Sequence, residues 1–184
     1  GDLAFLKVFC QENDIKLHVP EMIEHEGSTI SSSLIRSLIL DGNSSKVYDY
    51  LGRFYGFNAK IVSGSNRGKT MNYPTANFIP TFKNQLLPST GVYLSRVFLD
   101  GENYFGMTNA GVRPTFNEKK FVMEVHILSD KFGNLYDKNF YIEFLHKIRD
   151  EKKFDNMELL IEQIEKDKEV CIKLIDAFKE KYEI

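Results

Sequence analysis

From Phe54 onward the chain is divided into short stretches in which apolar and polar residues alternate, and this period constrains its fold more than any other feature. The stretches are Phe57 to Val62, Thr75 to Pro80, Gly91 to Leu99, Tyr104 to Ala110, Phe121 to Leu128 and Phe140 to Leu145, with Gly, Pro, Asn and Asp between them. Alternation with period two is the pattern of strands whose side chains point in turn to a core and to solvent, and the stretches are too short to read as helices. Six such strands divided by turn residues predict a small antiparallel barrel, an arrangement that closes on itself and leaves no edge to aggregate. Asp100-Gly101 sits where a hairpin turn needs left-handed backbone.

Both flanks read differently. Leu3, Leu6 and Phe9 or Cys10 fall at helical spacing, and Ser31 to Ser33 precede Leu34, Ile35, Leu38 and Ile39 before Asp41-Gly42 stops the pattern. Between them Ile15 to Glu24 is short, alternating and broken by Pro20. At the other end, Asn156 to Tyr182 puts Leu160, Ile164, Cys171, Leu174 and Phe178 on one helical face, which predicts a helix packed on the barrel wall.

With 184 residues, 42% of them apolar and 27% charged, the chain suits one globular domain and a smaller piece. A net charge of -2 gives no overall attraction to nucleic acid or to anionic membranes. The two cysteines, Cys10 and Cys171, are far apart and read as buried thiols of a reducing compartment rather than as a disulfide or zinc pair. With no long apolar run and no signal-like start, the expected location is the cytoplasm.

Gly64-Ser-Asn-Arg-Gly68-Lys69-Thr70 invites comparison with a P-loop, but only three residues separate its glycines where that motif has four. Asn72-Tyr73-Pro74 then blocks the helix start that a P-loop needs. A Gly-rich loop over phosphates with Lys69 as a point charge survives this objection, and so does a plain basic hairpin loop. Next comes Pro74-Thr75-Ala76-Asn77, and a strand there points Thr75 and Asn77 to one side. Hydroxyl and amide oxygens are hard ligands that suit magnesium held mainly by substrate phosphates, although a strand with a polar outer face would look the same. Phe121, Met123, Val125 and Ile127 share one strand face and leave Glu124 and His126 on the other.

Several of these segments, taken in order, resemble riboflavin kinases. Gly64 through Asn77 is similar to that family's nucleotide-binding stretch with its PTAN motif, and Gly91-Val-Tyr93 to its GVY strand. Asn109-Ala-Gly111-Val-Arg113-Pro-Thr-Phe116, Glu124-Val-His126, Leu135-Tyr136 and Ile148-Arg149-Asp-Glu151-Lys-Lys-Phe154 continue the series, so the resemblance spans about residues 51 to 170. It implies a mainly β fold, a six-stranded antiparallel Greek-key (split) barrel with a C-terminal helix. It implies transfer of the γ-phosphate of ATP to the 5′-hydroxyl of riboflavin, with Mg2+, to form FMN. Glu124 would be the catalytic base, and Thr75 and Asn77 would meet magnesium and nucleotide. Gly64, Lys69 and Tyr136 would lie on the nucleotide, and Arg149, Lys152 and Phe154 on the flavin. The sequence departs from the family at Lys69, where Arg is common, and at Asn72 and Asp137, where Gly is usual. A barrel that binds flavin or nucleotide without catalysis is the competing expectation.

Ile30-Ser-Ser-Ser-Leu-Ile-Arg36 is similar to the end of the FAD synthetase (FMN adenylyltransferase) domain that precedes the kinase in bacterial bifunctional enzymes. The resemblance implies that residues 1–45 are the small, α-rich remnant of that α/β nucleotidyltransferase domain and residues 46–184 the kinase, the rest of the synthetase domain belonging to a parent chain. His18, His25, His126 and His146 form no HxGH pair, so no FAD synthesis is expected from these residues alone. The expected partners are riboflavin and ATP, with neither nucleic acid nor membrane.

Overall fold

The computed structural model describes residues 2–63, 73–114, 119–129 and 138–182, with the side chains of 113, 114, 119 and 120 left out of the description. Two compact units are present, Gly1–Ser31 and Ser32–Ile184. In the first, helix α1 (Leu3–Glu12) starts where the Asp2 carboxylate accepts a hydrogen bond from the Ala4 amide. Strands β1 (Glu24–His25) and β2 (Ser28–Thr29) form a small hairpin. Its turn residues Glu26 and Gly27 have φ of 50° and 74°.

The second unit opens with helices α2 (Ser32–Leu40) and α3 (Ser44–Leu51). Buried Leu38, Ile39 and Val47 join them, and Tyr55 and Leu86 pack against the same cluster. Both helices therefore fall in the same compact unit as the barrel. Helix α3 was not expected from periodicity. Its ends are nevertheless well marked, since the Asn43 side chain accepts from the Lys46 amide and Gly52 closes the helix in left-handed backbone at φ 65°.

The six barrel strands are β3 (Tyr55–Val62), β4 (Ala76–Pro80), β5 (Gly91–Leu99), β6 (Glu102–Pro114), β7 (Lys119–Ile127) and β8 (Asn139–Arg149). They close in the order β3-β4-β7-β6-β5-β8, antiparallel throughout. The inside is filled as the alternation predicts: Phe57, Ala59 and Ile61 from β3 meet Ala76 and Phe78, Tyr93 and Val97, Met123, Val125 and Ile127, and Phe140, Ile142 and Phe144. The Asp100-Gly101 turn joins β5 to β6 with φ of 53° and 84°, the left-handed pair that a tight two-residue hairpin demands.

Helix α4 (Met157–Tyr182) covers part of the outside. Asn156 caps it by accepting from the Leu159 amide at 2.9 Å, and Lys179 and Lys181 complement its C-terminal dipole. Its Cys171 and Phe178 pack with Phe54, Val92, Leu94 and Leu145 in a second apolar cluster. Burial and the nearby Asp167 carboxylate push the Cys171 thiol up to about 12.

Candidate active site

Strands β4, β7 and β6 lie side by side, and their register sets Asn77 opposite Glu124 and Glu124 opposite Asn109. Directly opposed residues of antiparallel neighbours share a face. Here that is the outer face, because Ala76, Phe78, Met123 and Val125 on either side of Asn77 and Glu124 fill the barrel. Thr75, one residue before β4, comes to the same place, its hydroxyl donating to Glu124 Oε2 at 3.4 Å. Thr75, Asn77 and Glu124 are all partly exposed. Three of the residues picked from sequence are thus brought together with oxygen ligands of the hard type magnesium accepts.

The backbone entering β4 is held from three directions. Tyr73 is buried, and its hydroxyl donates to the Glu165 carboxylate of α4. The carbonyl of Pro74 is 2.9 Å from His126 Nδ1, and Thr75 reaches Glu124 as described. The Tyr73 ring also lies 5.4 Å from the His126 ring, edge to face, and the Lys168 ammonium lies 5.8 Å from its centre. Burial first, and then Glu165, push the Tyr73 phenol up to about 12.

The segment after β8 forms a second group. Arg149 ends β8, and its Nε and Nη2 grip the Asp167 carboxylate of α4 at 2.8–3.0 Å while Nη1 donates to the Asp150 carbonyl at 2.9 Å. Gln163 completes the arrangement with a 2.9 Å bond to Asp167. The Arg149 guanidinium carbon and the Lys152 ammonium lie 5.8 and 5.6 Å from the Phe154 ring centre. Glu151 leans on β6: its carboxylate accepts from the Val112 amide at 3.5 Å, and a Cβ on Gly111 would meet it at 2.5 Å. Gly111 therefore makes room for this carboxylate. Since Gly111 is two residues along β6 from Asn109, Glu151 anchors the segment roughly 7 Å along the strand from the row that contains Glu124.

Gly64, Lys69 and Tyr136 lie outside the described residues, as do Asn72, Thr115, Phe116, Leu135 and Asp137. From Tyr73 the described chain runs through Thr75 into strand β4. Sequence reasoning missed Tyr73, Glu165 and Asp167. For Asp167 a signal existed. It occupies the apolar stripe of α4 between Ile164 and Cys171, at the 3–4 spacing of that stripe, and a buried carboxylate there needs a cation.

Residues 51–175 match the family profile described as Flavokinase: Riboflavin kinase. The chain belongs to the riboflavin kinase family. A Bacillus subtilis (strain 168) protein named bifunctional riboflavin kinase/FMN adenylyltransferase is 35% identical over 156 residues, which are 83% of this chain and 49% of that protein. A Haemophilus influenzae protein of the same name is 37% identical over 147 residues, 79% of this chain and 47% of its own length. The riboflavin kinase homologue in hand thus spans about half the length of the curated relatives it matches. A crystal structure described as a macrolide-efflux protein from Streptococcus pneumoniae superposes with a TM-score of 0.77 at 32% identity, covering 88% of this chain and 53% of that one. Among the described residues of the present riboflavin kinase family member, no helix is long and apolar enough to cross a membrane.

Proposed function

We propose that this chain moves the γ-phosphate of ATP onto the 5′-hydroxyl of riboflavin, yielding FMN and ADP. The observation that carries the reading is the convergence of Thr75, Asn77 and Glu124 on one outer face of the barrel, beside a strand on which Glu151 anchors the segment bearing Phe154. Phosphoryl transfer asks for positioning and charge neutralisation more than for covalent chemistry. Glu124 accepts the proton of the attacking hydroxyl, a role that contributes typically ~10²- to 10⁴-fold.

Thr75 and Asn77 are the residues that would hold magnesium together with the nucleotide. Among the described residues no group of three His, Cys, Asp or Glu side chains forms a metal cage, and two neutral oxygens suit an ion that leans on phosphates. When bound, magnesium neutralises phosphate charge. Gly64 and Lys69 supply the loop over the phosphates, and Tyr136 contacts the adenine side. Phe154 offers a ring face to the flavin and Lys152 a cation near that ring. Arg149 would meet the flavin through the remaining N–H groups of its fork, while its bonds to Asp167 and the Asp150 carbonyl fix the segment that carries Phe154.

Ile30 to Arg36 would adjoin an adenylyltransferase region such as the names of the bifunctional relatives indicate. The 184 residues contain no HxGH pair and are expected to make no FAD from FMN and ATP. Two free, buried cysteines suit a cytoplasmic setting. Purified protein mixed with riboflavin, ATP and magnesium, followed by chromatography, tests the reading. FMN formed in proportion to enzyme supports it, and tight riboflavin binding without FMN would leave the non-catalytic barrel instead.

A further inference from the structure

We infer that His126 is a positioning residue for the nucleotide: through the Pro74 carbonyl, and together with the Tyr73–Glu165 bond, it sets where Thr75 stands beside Asn77, which the strand register already holds. The inference rests on the kinase reading only in taking Thr75 and Asn77 to face a magnesium nucleotide. Residues 73–75 lie before the start of the β4–β7 register at Ala76, and Pro74 has no N–H with which the backbone could be tied down. Side chains take over that task. A carbonyl oxygen can only accept, so His126 Nδ1 carries a proton and donates across 2.9 Å. Tyr73, one residue earlier, is tied to Glu165 and packs edge to face on the same imidazole.

His126 and Glu124 stand on one face of β7, two residues apart, so a single strand carries the candidate base and the anchor of the segment opposite it. The clamp thereby fixes Thr75 relative to Glu124. Losing one exposed hydrogen bond, worth ~0.5–1.5 kcal/mol net, weakens the nucleotide complex by at most roughly 2- to 12-fold, in full only where binding must re-order residues 73–75.

The test compares His126→Leu, which removes the donor, with His126→Asn, whose amide nitrogen can take the place of Nδ1, and adds Tyr73→Phe. Calorimetry with magnesium-ADP and separately with riboflavin is read beside amide exchange at residues 75–77 and the melting temperature. The expected result is magnesium-ADP affinity about five-fold lower and faster exchange for His126→Leu, near-normal values for His126→Asn, and riboflavin affinity within two-fold throughout. Tyr73→Phe should resemble His126→Leu. The inference is overturned if His126→Leu binds magnesium-ADP normally, if His126→Asn is as impaired as His126→Leu, or if flavin affinity falls equally. Should the unaltered chain make no FMN while these binding and exchange differences appear, the kinase reading fails and the clamp stands.

Discussion

Replacing Asp167 with alanine should loosen both the helix α4 contact and the segment after β8 that is proposed to meet the flavin. The Asp167 side chain is 3% exposed and that of Arg149 is 21%. The carboxylate accepts three bonds from Arg149 and one from Gln163. Breaking a buried ion pair by removing one partner costs ~3–5 kcal/mol, because the remaining charge is left without its partner. Arg149 is one-fifth exposed and keeps its bond to the Asp150 carbonyl, so it can partly rehydrate. The loss should therefore be about 2–3 kcal/mol. For a chain of this size each kcal/mol lowers Tm by ~2–4 °C, giving a drop of roughly 5–10 °C by calorimetry or circular dichroism. Riboflavin affinity should fall with it, because Arg149 no longer fixes the segment that carries Phe154. Replacing both partners with apolar residues, Arg149→Met with Asp167→Leu, should recover most of the Tm without the flavin affinity. A fall below 2 °C for Asp167→Ala would refute the reasoning that this pair holds the segment.

Glu124→Gln should keep riboflavin and nucleotide binding within a few-fold while kcat falls ~10²-fold or more, since a base acts in the transition state. Steady-state kinetics with normal turnover would remove Glu124 from the chemistry. Thr75→Ala and Asn77→Ala should weaken the magnesium-nucleotide complex more than free riboflavin, and titration calorimetry showing equal losses would contradict that division. Alkaline pH should destabilise the fold. The Cys171 thiol rises from 9.0 to about 12 and the Tyr73 phenol from 10.0 to about 12, so the folded state holds protons that the unfolded chain gives up. Their stabilisation is complete below about pH 9 and lost as pH climbs toward 12, so stability should fall across that window; urea unfolding with a flat or rising midpoint would oppose this.

The barrel was legible because each strand has an apolar inside and a polar outside, which writes period two into the sequence. The outward placement of Glu124 and His126 follows from the same rule. Strand β8 was read only to Leu145 but continues to Arg149. Register shifts against β5 occur between Val92 and Tyr93 and between Leu94 and Ser95, so Phe144 faces inward while Leu145 and Ile148 both meet the outer cluster. A bulge of this kind erases alternation. Helix α3 is eight residues long, too short for a stripe to stand out, and only its caps betray it. The Tyr73–Glu165 contact joins residues 92 apart, and nothing in local pattern can pair them before the fold brings α4 beside the segment that enters β4.

The most direct test of phosphoryl transfer at this site is to follow the phosphate. Purified chain, riboflavin, magnesium and ATP labelled in its γ-phosphate should give labelled FMN and unlabelled ADP in equal amounts, with the label in FMN falling ~10²-fold in Glu124→Gln. Label released only as inorganic phosphate, or FMN formation unchanged in Glu124→Gln, would contradict the account.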